Sequence, residues 1–140
     1  MKPFKHSVSL VIEGPGGLLL VKRPEGDESL PGEWGLPAAT LRQGEQEEDA
    51  VRRAGRDKLG IEVRPLRALG EASGERSEYR LLMRDWEAEI VGGKPTVPQP
   101  GDGTQYEDLR WGEVEELVPA ARHGSLCARV LLRERGIAPG

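Results

Sequence analysis

Two adjacent residues of opposite charge, Asp57 and Lys58, are the first candidates for chemistry in this chain of 140 residues. A carboxylate is the kind of ligand that Mg²⁺ prefers, whereas an ammonium has no lone pair and binds phosphate as a point charge. On a helix, positions 54, 57 and 58 are spaced i, i+3 and i+4, so one turn would direct all three side chains to the same place. The pattern is compatible with a small phosphorylated ligand, held alone or with a divalent cation.

The segment that must position these residues is predicted to be a helix over residues 45–59. Val51, Gly55 and Leu59 recur at i, i+4 and i+8 and would face a core. Gly60 follows them and is suited to end the helix. Further along the chain, the sequence predicts a helical turn at 113–117 and a final helix at 120–135.

Predicted strands lie on both sides of the central helix. They span residues 6–13, 18–23, 61–70, 78–90 and 106–111. The first two should pair through the Gly/Pro turn between them, and residues 24–32 and 91–104 are predicted loops. Without an internal repeat or a linker, the pattern predicts one domain over residues 1–140. Its class should be α/β, with a mixed sheet between helical layers, that is, α/β/α.

Composition narrows the classes of function. The net charge is −4, from 20 basic and 24 acidic residues, and no basic stripe is present, which argues against binding of a nucleic-acid polymer. No apolar stretch is long enough to cross a bilayer, and the first residues resemble a strand more than a signal peptide. We therefore expect a cytoplasmic protein that does not bind membranes. Cys127 is the only cysteine and is expected to be a small buried residue of the last helix.

One stretch carries a specific family pattern. Trp34-Gly35-Leu36-Pro37-Ala38-Ala39, followed by Thr40 to Ile61, resembles the signature of the Nudix (MutT-like) family, G-x5-E-x7-R-E-U-x-E-E-x-G-U, where U is bulky and apolar. The alignment needs no gap and matches Glu45, Arg53, Gly60 and Ile61, with Ala39 at the first glycine. Val21-Lys22-Arg23 and Glu107-Asp108-Leu109-Arg110-Trp111 resemble the strands that flank this box in the family. The resemblance covers residues 6 to 118 and implies the Nudix fold.

The chain departs from the family where the family binds metal. The three metal-binding glutamates of the signature are replaced by Ala54, Asp57 and Lys58, so one shorter carboxylate remains and one charge is reversed. Gly55 stands where a bulky apolar residue is usual and would leave core space unfilled. Ala38 and Ala39 replace a glycine pair and would be strained if the backbone there needed a positive φ.

The resemblance assigns roles residue by residue. Gly44, Glu45, Arg53 and Gly60 would hold the shape of the box. Asp57, Glu107 and Glu45 would be the catalytic acids, and Asp57 and Glu107 the ligands of Mg²⁺ or Mn²⁺, with weak affinity. Arg23, Lys58 and Trp34 would contact the ligand.

Several alternatives remain open at this point. Lys58 either binds phosphate or is a solvated lysine near a helix end; Glu107 is a site acid or a surface acid; Trp34 stacks on a base or packs beside the box. The function implied is weak or altered metal-dependent hydrolysis of a nucleoside diphosphate linked to another moiety. The alternatives are a non-catalytic nucleotide-binding module and a protein-interaction module, such as a homodimer. The loops at 24–32 and 91–105 would set specificity, and the sequence does not name the substrate.

Overall fold

The computed structural model describes residues 2–27, 30–101 and 105–138. Residues 28–29 and 102–104, which fall in the two predicted loops, lie outside the described residues. Across the described ranges, no helix is long and apolar enough to span a membrane.

Seven strands of the described chain form a mixed sheet. They are β1 (Phe4–Gly14), β2 (Gly17–Lys22), β3 (Trp34–Gly35), β4 (Ala38–Thr40), β5 (Glu62–Glu75), β6 (Arg80–Gly92) and β7 (Asp108–Gly112). The order is β3-β2-β1-β6-β5, with β4 paired to β1 and β7 to β2. β1 runs parallel to β6, and the other pairs are antiparallel. All five predicted strands are present, and β5 extends further than its periodicity indicated.

The central helix ends in an irregular turn. α1 (Glu47–Ala54) continues into a π-helical turn (Gly55–Leu59), which ends at Gly60 with a left-handed φ of 70°. A Cβ atom at Gly55 would lie 3.2 Å from a methyl of Val63 and 3.3 Å from the carbonyl oxygen of Ile61. The expectation that Gly55 leaves unfilled space is therefore wrong: the start of β5 packs directly against it.

The final helical region is divided. A 3₁₀ turn (Val114–Leu117) leads into α2 (Val118–Arg122), and α3 (Leu126–Glu134) follows after a break. The single helix predicted over 120–135 is thus wrong, because Gly124 takes a φ of +103°. Ser125 then begins α3 afresh, since its hydroxyl accepts a hydrogen bond from the Ala128 N–H at 3.3 Å.

Two apolar cores lie on opposite faces of the sheet. One packs α1 against the sheet around Leu10, Leu19 and Leu59. The other packs α2 and α3 around Leu20 and Leu131. The sheet therefore lies between helices in the predicted α/β/α arrangement, and Cys127 is buried in the second core as expected.

A partly buried acid fixes the start of α1 to the sheet. Glu47 accepts hydrogen bonds from His6 Nε2, Arg84 Nη1 and Trp86 Nε1, each at 2.7 Å. Charge-assisted bonds of this kind are stronger than neutral ones. They hold the start of α1 over β1 and β6, and they therefore also fix the position of the π-helical turn at its other end.

β4 was not predicted from the sequence. It consists of Ala38, Ala39 and Thr40, which pair antiparallel with residues 7–9 of β1. No residue other than glycine has a positive φ in the described ranges, so the expected strain at the two alanines is absent. Their extended backbone instead brings Thr40 to the box.

Candidate functional site

An ion pair between Glu45 and Arg53 shapes the turn that leads into α1. Arg53 donates to both carboxylate oxygens of Glu45, through Nε and Nη2, each at 2.9 Å. Arg53 also donates to the Thr40 carbonyl at 2.8 Å, and the Arg42 N–H donates to Glu45 at 3.0 Å. The two charged side chains are 14% exposed. Because Glu45 ties both ends of the turn together, its geometry favours a scaffold role over a catalytic one.

The same contacts set the ionisation of this pair. The hydrogen bond from Arg53 is the main reason that the pKa of Glu45 is lowered. The hydrogen bond to Glu45 likewise raises the pKa of Arg53. Both groups therefore stay charged through the ordinary pH range.

Asp57 and Lys58 lie side by side on the π-helical turn in different surroundings. The Asp57 side chain is 51% exposed, and its carboxylate lies 4.0 Å from both Arg42 and Arg53. Lys58 is buried, with 9% of its surface exposed. Burial lowers the pKa of Lys58, the charge of Asp57 opposes that shift, and the nearby charges of Arg23 and Arg53 add to it.

Ala54 does not share the direction of these two residues. It is fully buried in the core between α1 and the sheet, whereas Asp57 and Lys58 line a cleft. The expectation that positions 54, 57 and 58 face one place is therefore wrong for Ala54. The i, i+3, i+4 spacing does not carry through a π turn, whose hydrogen bonds run from i to i+5.

The cleft has a volume of about 1050 Å³ and is strongly basic. The described residues give it two acidic side chains, Asp27 and Asp57, and six basic ones. The basic residues are Lys5, Arg23, Arg42, Arg53, Lys58 and Arg76. A chain with a net charge of −4 thus concentrates positive charge in this cleft, which favours an anionic ligand.

The cleft floor is largely apolar and lies against the second core. It includes Leu81, Met83, Leu126 and Cys127. Tyr106 also lines it, and the Tyr106 hydroxyl accepts a hydrogen bond from the Ala38 N–H at 2.9 Å. Burial raises the pKa of both Tyr106 and Cys127, so both remain neutral.

Two basic residues illustrate how the elements converge here. Arg23 follows β2 and carries a salt bridge to Asp27 at 3.3 Å. Arg76 comes from the β5–β6 turn and donates to the Gly124 carbonyl at 3.1 Å, beside the break between α2 and α3. The cleft is thus built by segments that are distant in the sequence.

Of the predicted catalytic and ligand-contacting residues, Glu45, Glu107 and Trp34 lie outside the cleft lining. Glu107 forms a salt bridge with Lys22 at 3.3 Å. The Trp34 ring packs under the guanidinium of Arg110, which lies 4.1 Å from the ring centroid. The geometry therefore favours the surface-acid alternative for Glu107 and the packing alternative for Trp34.

Comparison with known proteins identifies the family. The NUDIX domain matches residues 3–132 of the chain. The chain belongs to the Nudix family. The match includes the box, both cores and most of the residues that line the cleft.

Solved Nudix structures share the fold. The MutT protein from Methanosarcina mazei Go1 superposes with a TM-score of 0.74 at 20% identity, covering 96% of this chain and 95% of that one. A NUDIX hydrolase from Nitrosomonas europaea gives the same TM-score and identity, with coverage of 96% and 89%. These likenesses establish the α/β/α architecture.

Curated relatives name two activities. The NAD-capped RNA hydrolase NudC of Stutzerimonas stutzeri (strain A1501) is 32% identical over 126 residues, covering 84% of this chain and 42% of NudC. The nucleoside triphosphatase NudI of Escherichia coli O17:K52:H18 (strain UMN026 / ExPEC) is 24% identical over 119 residues, covering 77% and 81%. The chain therefore spans less than half the length of NudC.

The Nudix box implies a divalent cation, and the residues of this site do not fit one. Within the described ranges, no group of three His, Cys, Asp or Glu side chains is placed to hold a metal ion. Of the expected donors, Glu45 is engaged by Arg53 and Glu107 by Lys22. Only Asp57 faces the cleft, next to Lys58. An ammonium cannot ligate a metal and repels one.

Arg42 and Tyr106 are two of the cleft residues that the sequence did not predict. Arg42 carries a usable signal, because it is a basic residue inside the box loop. Tyr106 carries none, since its contact with Ala38 joins residues 68 positions apart.

Proposed function

We propose that this Nudix protein binds a nucleoside diphosphate linked to another moiety in the basic cleft, and hydrolyses it slowly. The observation that carries the proposal is the charge of the cleft, with six basic and two acidic side chains among its described lining residues. A diphosphate brings two negative charges, and a nucleoside brings a flat apolar surface. The cleft offers a counterpart to each.

The diphosphate would lie between Arg23 and Lys58. Arg23 can present a planar fork of donors, whereas Lys58 presents a compact point charge. At about 4 Å and an effective dielectric near 20, an opposite pair of unit charges interacts by roughly 4 kcal/mol before desolvation is subtracted. Because Lys58 is already buried in the folded protein, part of its desolvation has taken place before any ligand arrives.

The nucleoside would lie over the apolar floor. Leu81, Met83 and Leu126 supply aliphatic surface there. Ligand pockets typically combine such a surface with a few polar groups that fix orientation. Tyr106 is held by Ala38 and would form a rigid wall between the two ends.

Hydrolysis is the second candidate, and Asp57 is the observation that favours it. Its half-exposed carboxylate lines the cleft and would accept a proton from an attacking water. The other two carboxylates that the family signature has at this turn are replaced by Ala54 and Lys58. We therefore expect turnover well below that of an enzyme with a complete Nudix box.

Isothermal titration with ADP-ribose, ADP and adenosine tests the binding. ADP-ribose and ADP should bind at least about tenfold more tightly than adenosine, since only they carry a diphosphate. Arg23→Gln should weaken ADP-ribose about tenfold. The control Arg67→Gln, at an exposed residue of β5 outside the cleft lining, should leave affinity unchanged. Equal affinity for adenosine and ADP, or no binding of any of the three, would contradict the proposal.

A further inference from the structure

Each of the three acids to which the resemblance assigns catalysis or metal binding has a cation beside it. Arg53 bonds both oxygens of Glu45. Arg42 and Arg53 lie 4.0 Å from the Asp57 carboxylate. Lys22 lies 3.3 Å from Glu107. A divalent ion would therefore have to compete with covalently tethered positive charges for every one of these oxygens.

Basic side chains also outnumber acidic ones among the described residues that line the cleft. Lys58 is buried on the cleft wall, where the charge of Asp57 favours its ammonium form and the charges of Arg23 and Arg53 oppose it. Such a cluster of like charges is unfavourable in isolation, and it becomes favourable when an anion lies between its members. This arrangement favours an anion over a divalent cation on the cleft wall.

We infer that this cleft takes the diphosphate of its ligand directly on basic side chains, without a divalent cation, and that Lys58 supplies the positive charge that the ion would otherwise bring. The inference rests on the proposed function, because it concerns how the same cleft holds the diphosphate. Unlike the proposed function, it excludes a divalent ion from the binding step. The ligand should therefore bind equally well after every divalent ion has been removed.

Lys58 suits this task for a structural reason. It lies on the π-helical turn that ends at Gly60, and that turn packs against β5 through Gly55. Its stem is therefore enclosed, and the ammonium has little freedom to swing away from the cleft. A surface lysine would lose side-chain entropy on binding phosphate, and Lys58 has lost much of it already.

The first arm of the test concerns the ion alone. Mn²⁺ is titrated into the wild-type protein and followed by the electron paramagnetic resonance of the free ion. The wild type should show no site tighter than about millimolar. Lys58→Glu, which restores one carboxylate, should bind Mn²⁺ at least about tenfold more tightly. A wild-type site in the low micromolar range overturns the inference and leaves the proposed function standing.

The second arm concerns the anion. The affinity for ADP-ribose is measured in EDTA and in millimolar Mg²⁺, for the wild type, Lys58→Met and the matched control Lys94→Met. Lys94 is exposed and outside the cleft lining. The wild type and the control should differ by less than about twofold between buffers, and Lys58→Met should lose about tenfold in both.

The possible failures of this arm are distinguishable. Binding that requires Mg²⁺, or binding that Lys58→Met leaves unchanged, overturns the inference alone. Failure of ADP-ribose, ADP and inorganic pyrophosphate to bind in either buffer overturns the inference together with the proposed function. Because Lys58→Met replaces a buried charge by an apolar chain of similar length, we expect it to fold, and its melting temperature verifies this.

Discussion

The box contains two regions that a few residues separate, and they differ in what has been kept. In the turn before α1, Glu45 and Arg53 match the family pattern and form a complete set of bonds to each other and to Thr40. On the π-helical turn, Asp57 and Lys58 depart from the pattern and face the cleft. One set of side chains thus holds the turn of the box, and a separate set faces the cleft.

The first prediction concerns Asp85, a buried acid to which no arginine within the described ranges is bonded as Arg53 is to Glu45. Asp85 on β6 is fully buried, and neither carboxylate oxygen has a hydrogen-bonding partner among the described residues. Burial raises its pKa to about 8, although Ser9 and Arg133 oppose the shift. The contrast with Glu45, whose pKa Arg53 lowers, is the clearest electrostatic difference in the molecule.

Asp85 gives stability a defined pH dependence. From about pH 4 to about pH 8 the unfolded chain has lost this proton and the folded chain retains it, so the free energy of unfolding falls as pH rises, by at most roughly 1.4 kcal/mol per pH unit. Asp85→Asn should remove this slope and stabilise the protein by several kcal/mol at pH 8. Urea unfolding across that range measures it, and identical slopes for the variant and the wild type would show the assignment to be wrong.

The second prediction concerns the half of the box that matches the family pattern. Glu45→Ala leaves Arg53 largely buried without its carboxylate and should cost about 3 kcal/mol of unfolding free energy, with loss of ADP-ribose binding. The matched control is Asp49→Ala, whose exposed partner is Arg52, and it should cost no more than about 0.5 kcal/mol. Similar losses of unfolding free energy in both variants would mean that the Glu45–Arg53 pair stabilises the fold no more than an exposed ion pair does.

The third prediction concerns the junction between the two regions. Gly55→Ala should gain about 1 kcal/mol in helix propensity but lose more, since the new methyl would lie 3.3 Å from the Ile61 carbonyl; we expect a net loss of about 1 kcal/mol. Gly35→Ala is the control, because a Cβ there meets nothing within 4 Å. Thermal unfolding compares them, and a stabilised Gly55→Ala would contradict the packing described for the π turn.

The smallest effect is expected at the altered half of the box. Lys58→Met removes a buried ammonium whose pKa burial lowers, and should stabilise the protein by about 1 kcal/mol while weakening ADP-ribose binding. Opposite signs for stability and affinity are typical of a residue kept for function. A variant that loses both would instead show Lys58 to be part of the scaffold.

Local pattern was enough to predict much of this molecule. The periodicity of Val51, Gly55 and Leu59 predicted the central helix, and Gly60 predicted its end. The resemblance to the family signature assigned Glu45 and Arg53 to the shape of the box, and the two side chains are hydrogen bonded across the turn. These features depend on residues close together in the chain.

What the sequence could not predict depends on distant contacts. The pairing of Glu107 with Lys22 follows from the alignment of β7 beside β2. The break at Gly124 creates the cleft wall that Arg76 contacts. The basic excess of the cleft arises because Lys5 and Arg76 join the box residues from far along the chain. No local pattern contains this information.

Lys58 and its neighbouring cations are proposed to hold a diphosphate in place of a metal ion. The most direct measurement is a crystal structure with ADP-ribose, grown with Mn²⁺ and recorded at the manganese absorption edge. We predict the Lys58 ammonium at about 3 Å from a diphosphate oxygen, with no anomalous peak in the cleft. An anomalous peak between Asp57 and the diphosphate, with Lys58 turned away, would contradict the account.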